Sequence, residues 1–139
     1  MTAPVFVDTN ILLYADDASD AVKRGRAQNL LRTVIGDGSC RLSIQVLQEY
    51  FSAATRKLGM DAVSVRRRVE VYSRLEVVKL DPNDVLAAID LHDRYRVSIW
   101  DALILRAAII SDCETLYTED LQPDFQIDKL KVVNPLISR

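Results

Sequence analysis

Val5-Phe-Val-Asp-Thr-Asn-Ile-Leu-Leu-Tyr14 places one acid and two short polar residues between two apolar runs. Val5-Phe-Val reads as a short buried strand, and from Ile11 the pattern turns helical, with Thr9 or Asn10 suited to cap the helix. A strand that passes straight into a helix is the opening unit of an alternating fold, and the rest of the chain repeats it. Ala21 to Ile35 carries Ala27, Leu30, Leu31 and Val34 on one helical face and ends at the breaker Gly36-Asp-Gly38, which leads into a strand at Arg41-Leu-Ser-Ile44. A helix follows from Gln45 to Leu58, with Val46, Leu47, Tyr50, Phe51, Ala54 and Leu58 on its apolar face and Glu49 bordering that face. After Gly59-Met60-Asp61, Ala62 to Leu75 reads as a basic amphipathic helix and Val77-Val-Lys-Leu80 as a third strand. Asp81 caps, and Pro82 opens, a helix running to about Tyr95. Ile99 to Ile110 is apolar on every side and is expected to be a buried helix, and Thr115-Leu-Tyr-Thr118 and Leu130-Lys-Val-Val133 supply the last two strands. This alternation predicts an α/β fold, a three-layer α/β/α sandwich with a mostly parallel central sheet of about five strands.

Length and composition bound the function. A chain of 139 residues, 49% hydrophobic and 27% charged, fits one domain over residues 1–139 that buries a full core. The apolar runs Ala102-Leu-Ile-Leu105 and Ala107-Ala-Ile-Ile110 are interrupted by Arg106 and fall far short of the roughly 20 residues of a membrane span. No basic segment followed by an apolar run opens the chain, so a cytoplasmic protein is expected. Cys40 and Cys113 have no CxxC spacing and read as buried small hydrophobes. Net charge is −2, yet bases outnumber acids 11 to 8 through Arg74 and acids outnumber bases 12 to 7 beyond it. Arg56, Lys57, Arg66, Arg67, Arg68 and Arg74 give one stretch the charge to attract a polyanion, although a solvated helix face is an equal reading.

The acids divide between structural and chemical readings. Asp8 follows the first strand, and the carboxyl ends of parallel strands are where such sheets bind ligands, but an N-cap explains it equally well. Ser98-Ile-Trp-Asp101 resembles a capping box, yet the apolar residues around Asp101 should draw that turn inside, where an acid needs a partner or a cation. Asp120 follows the strand ending at Thr118, a place turn chemistry also explains. Together the four carry more weight. Two bare carboxylates about 4 Å apart repel by roughly 4 kcal/mol at an effective dielectric near 20, so convergence of Asp8, Glu49, Asp101 and Asp120 calls for a divalent cation. Oxygen-only ligands suit Mg²⁺ or Mn²⁺, the ions of metal-dependent phosphodiester cleavage. The single histidine, His92, excludes a two-histidine ribonuclease, and neither GxxxxGK[ST] nor GxGxxG is present.

With "VDTNILLY", "LQEY", "SIWDALIL" and "LYTEDL" in this order, followed by a closing "VVNP", the chain resembles PIN-domain proteins and, among them, the small VapC-type toxins of prokaryotic toxin–antitoxin pairs. The resemblance covers nearly the whole length. It implies a Mg²⁺- or Mn²⁺-dependent endoribonuclease, often a homodimer, inhibited by a small antitoxin that inserts a segment near the active site. Asp8 and Asp101 would be the principal metal ligands, and Glu49 and Asp120 would complete the acidic pocket. Asn10 and Thr118 would be supporting hydrogen-bonding residues, and Asp124 would share the role of Asp120. Arg66, Arg67 and Arg68 are candidate grips on RNA phosphates that the family does not fix.

Three other classes compete. A haloacid-dehalogenase-like phosphatase uses an Asp after the first strand as nucleophile, but needs an acid two residues on, where this chain has Asn10. A non-catalytic binding module would use the acids as helix caps. A receiver-type domain needs a Lys at the end of a late strand, whereas Lys131 falls inside one. The RNA cut, the number of metal ions and the antitoxin are not encoded in these motifs.

Overall fold

The computed structural model describes residues 2–137. Strand β1 (Val5–Val7) passes through Asp8 alone into helix α1 (Thr9–Asp16), followed by α2 (Ala21–Gly36), β2 (Cys40–Ser43), α3 (Ile44–Arg56) and α4 (Ala62–Ser73). Then come β3 (Glu76–Val78), α5 (Pro82–Tyr95), α6 (Ile99–Ile110), β4 (Thr115–Tyr117), β5 (Gln126–Ile127) and β6 (Leu130–Val133). The sheet order is β3-β2-β1-β4-β6-β5, parallel throughout except for β5 against β6. Val5, Phe6 and Val7 are all buried although successive side chains point to opposite faces, so helices cover both faces of the sheet centre.

The topology fixes where a ligand goes. From β1 the chain builds outward to β2 and β3, then crosses back to lay β4 on the other side of β1. The crevice beyond the carboxyl ends of β1 and β4 is therefore the topological switch point of the sheet. Asp8 extends β1 there and its N–H donates to the Tyr117 carbonyl at the end of β4, 3.0 Å.

Several expectations need correction. The first helix begins at Thr9 with Asp8 as its cap, rather than at Ile11 with Thr9 or Asn10, because Asp8 keeps extended backbone (φ −78, ψ 162) and the turn needs no further residue. A sixth strand, β5, pairs with β6 through two residues around Asp128, whose φ is +52; so short a strand has no readable periodicity. Helix α6 is not buried all round: Ala102, Ile104, Leu105, Ala107 and Ala108 are buried, but Trp100 in the first turn borders a cavity and is 64% exposed. Phe51 on α3 is likewise exposed, leaving Val46, Tyr50 and Ala54 as that helix's buried face. The cap of α5 is as expected, a reciprocal pair in which Asp81 and Asp84 carboxylates each accept the other's N–H. His92 is structural: its Nδ1 donates to the Val97 carbonyl at 2.6 Å and ties α5 to the α6 approach. Cys40 and Cys113 are both buried and unlinked.

Candidate active site

A cavity of about 840 Å³ opens at the switch point, and Asp8, Glu49, Asp101 and Asp120 all line it. Each arrives from a different element: Asp8 between β1 and α1, Glu49 on α3, Asp101 in the first turn of α6 and Asp120 just past β4. The fully buried Thr118 hydroxyl is the hub. It donates to Asp8 Oδ2 at 2.9 Å and accepts from Asn10 Nδ2 and the Asp120 N–H, each at 3.0 Å, which fills a hydroxyl's one donor and two acceptor places. Asn10 Nδ2 also donates to Asp120 Oδ2 at 3.0 Å, while Asn10 Oδ1 accepts the Glu119 N–H at 3.2 Å. Asp8 Oδ1 accepts the Thr9 N–H at 2.7 Å, so the residue caps α1 while it also lines the cavity.

Glu49 is exposed on the cavity side and held by residues that sequence reasoning did not single out. The Thr9 hydroxyl donates to its Oε1 at 3.1 Å, and Gln45 Nε2 donates to the same oxygen at 3.3 Å while reaching the Trp100 carbonyl at 3.2 Å. Gln45 lies one turn before Glu49, a spacing legible in the sequence; the approach of Thr9 depends on how α1 and α3 pack, which no local pattern encodes. Asp101 N–H donates to Ser98 Oγ at 3.0 Å, so the Ser-x-x-Asp turn is a cap as well, with the carboxylate left to the cavity.

Electrostatics mark the site. Burial pushes the Asp8 carboxyl up to about 7, opposed by its bonds from Thr9 and Thr118 and reinforced by Asp120 and Glu49. Asp101 is also raised, first by burial and then by Asp120. Among the described residues none of the four acids has an ion-pair partner, in contrast to Asp16, Asp84, Asp112, Glu119 and Asp124, which all do. The donor set, all oxygen and without a cationic partner, with Asp8 and Asp101 raised by burial, suits a hard divalent cation. As the side chains lie, no three acids among the described residues are close enough to enclose one ion, so two direct ligands with water completing the shell fit better than a protein cage.

The remaining candidates fall elsewhere. Asp124 pairs with Lys131 at 3.7 Å and does not line the cavity. Arg66 pairs with Glu70 along α4, and Arg68 with Asp16 at 3.2 Å, so neither faces the acids. Arg67 is exposed on the same helix and is likewise absent from the cavity wall. Lys131 pairs with Thr115 and Gln126 within the sheet, as the sequence placed it.

The family model described as PIN domain matches residues 5–126. The chain belongs to the PIN-domain family. Its fold is shared with VapC20 of Mycobacterium tuberculosis, described as a sarcin-ricin loop cleaving toxin, at 20% identity, TM-score 0.68, over 84% of this chain and 89% of that one. A toxin–antitoxin complex from Klebsiella pneumoniae aligns at 21% identity, TM-score 0.72, over 94% and 97%. VapBC2 from Rickettsia felis, bound to a DNA fragment from its promoter, aligns at 19%, TM-score 0.66, over 92% and 96%. No curated protein matches the chain by sequence. In this PIN domain no helix among the described residues is long and apolar enough to cross a membrane.

Proposed function

We propose that this PIN domain is a Mg²⁺- or Mn²⁺-dependent endoribonuclease and the toxin of a toxin–antitoxin pair. The observation that carries the reading is the set of four carboxylates without ion pairs in one open cavity at the switch point. Asp8 and Asp101 would hold the metal, with Glu49 and Asp120 completing the pocket. The bound ion would neutralise phosphate charge, activate water and stabilise the departing oxygen. The chain's own residues do the rest. Thr118 and Asn10 fix the directions of the Asp8 and Asp120 carboxylates, and Thr9 with Gln45 fixes Glu49. Glu49 and Asp120, both exposed, are placed to take a proton from an attacking water.

The phosphatase reading loses ground on geometry. Asn10 stands where the proton-transferring acid would be, and its amide is already engaged by Thr118, Asp120 and Glu119. The binding-module reading has in its favour the cap that Asp8 gives α1 and the Ser98 cap that takes the Asp101 N–H. Thermal melts separate it from the nuclease: unchanged melting of the wild type with and without Mn²⁺ supports caps alone.

The purified chain, freed of any bound partner, should cut total RNA in Mg²⁺ or Mn²⁺ and leave it intact in EDTA. Intact RNA under all three conditions, from folded protein, goes against the nuclease. Trp100, the only tryptophan, stands exposed beside Asp101, where an unstacked base can lie on the indole. Trp100→Ala should raise KM for single-stranded RNA by about tenfold with kcat little changed, in line with roughly 1–3 kcal/mol per stacked base. A small antitoxin protein is the proposed partner, a homodimer the proposed assembly, the cytoplasm the proposed location and a single domain the proposed organisation.

A further inference from the structure

A second hollow, of about 410 Å³, adjoins the first and shares Asp16 with it. Its walls are the end of α1, a stripe of α2 carrying Arg24, Gln28 and Arg32, and a stripe of α4 carrying Arg68 and Tyr72. Three arginines therefore line one space together with a single carboxylate. That carboxylate is already committed: Asp16 Oδ2 accepts from the Tyr50 hydroxyl at 2.5 Å and Oδ1 pairs with Arg68 at 3.2 Å. The negative end of α1 is partly occupied too, since Gln28 Nε2 donates to the Ala15 carbonyl at 2.9 Å. Arg32 reaches only the neutral Asn29 Oδ1, 3.1 Å. Arg24 is partly buried with neither a hydrogen bond nor an ion pair from its side chain among the described residues. Two cationic forks are thus left over in a hollow of a chain whose net charge is −2.

Guanidinium forks match phosphate oxygens and hold them in a defined plane. Because Asp16 forms part of both walls, the hollow adjoins the acidic cavity and lies beside the way out of it. We infer that Arg24 and Arg32, with Arg68 beside them, form a phosphate subsite for the RNA backbone a short distance from the cleaved bond. The inference rests on the nuclease reading for the identity of the strand, but the subsite is a property of the arginines alone. It replaces the run Arg66 to Arg68 with a set drawn from two helices, of which only Arg68 belongs to that run.

The test uses the full chain and a fluorescein-labelled 12-nucleotide oligouridine. Anisotropy in EDTA measures binding without cleavage. Arg24→Gln with Arg32→Gln should weaken binding at least tenfold and make the slope of log K against log salt shallower by about 1.4, two contacts at about 0.7 each. In Mg²⁺ or Mn²⁺ the same variant should raise KM correspondingly and leave kcat within about twofold. Arg68 stays in place because it neutralises Asp16, and Arg24→Lys with Arg32→Lys should recover the salt slope while recovering affinity only in part. Wild-type affinity in the folded Gln variant overturns the subsite even where cleavage proceeds. So does unchanged RNA binding with loss of binding to a Glu-rich peptide, which assigns the hollow to protein carboxylates. A wild type that cuts nothing but loses RNA binding in the Gln variant refutes the nuclease and leaves the subsite standing.

Discussion

Asp8→Asn is expected to abolish cleavage and to make the metal-free protein more stable at pH 8. The second half follows from burial. A carboxyl raised from 3.8 to about 7 binds its proton more tightly in the folded chain than in the unfolded one. The stability Asp8 contributes is therefore fully present below about pH 4 and is lost as the pH rises toward 7. About three decades of proton affinity at about 1.4 kcal/mol each make the loss roughly 4 kcal/mol. Asparagine removes this charge and keeps an oxygen for the Thr9 N–H, but turns a donor toward Thr118, so a net gain of about 2 kcal/mol is reasonable. That corresponds to a rise in Tm of about 6 °C for a domain of this size. Asp101, raised for the same first reason, adds to the slope in the same direction. Between pH 5 and 8 the wild type in EDTA should lose Tm steadily and Asp8→Asn much less.

Metal reverses the comparison. On the nuclease reading Mn²⁺ would bind the ionised carboxylates and stabilise only the state that holds it. The wild type should gain Tm with added Mn²⁺ at pH 8 and Asp8→Asn should not, while RNA cleavage is lost in the variant. A variant that melts lower than the wild type in EDTA at pH 8 would contradict the electrostatic argument. Cleavage at the wild-type rate would remove Asp8 from the metal site.

The sequence carried the alternation of strands and helices because every helix and all strands but β5 show a readable pattern between breakers or caps. Asp81 with Pro82 before α5 is a local signal with a local consequence, whereas the Ser43 cap of α3 lay hidden in what reads as strand. It carried the four acids because three lie at ends of elements and the motif order supplied the rest. It did not carry the partners of those acids. Thr9 reaches Glu49 across 40 residues, and Asn10 reaches Asp120 across 110. Such contacts exist only once the sheet order has brought β1 beside β4. Trp100 was misplaced for the same reason: an apolar helix reads as buried, and only tertiary structure shows that its first turn has no cover. The arginine hollow is likewise invisible along the chain, since Arg24 and Arg68 stand on different helices.

Thr118→Val tests whether the hub is structural, positional or both. Valine matches threonine in shape but can neither donate nor accept, so Asp8 Oδ2 loses its donor, and Asn10 Nδ2 and the Asp120 N–H lose an acceptor. Bonds to charged groups are worth about 1.5–3 kcal/mol, and at a fully buried position water cannot replace them. A loss of about 3 kcal/mol is expected, with a Tm lower by about 10 °C. The Asp8 carboxyl should move further up, since the bond from Thr118 holds it down, so cleavage should need a higher pH as well as falling at every pH. Thr118→Ser, which keeps the hydroxyl, should recover the pH profile even where the lost methyl keeps Tm below wild type. A merely structural role predicts otherwise, with activity following Tm and the pH profile unmoved. Combined with Asp8→Asn the effects should not add, because the charge that makes the missing bond costly is gone; a double variant about 2 kcal/mol more stable than the sum predicts would place the energy of the hub in the Thr118 to Asp8 bond.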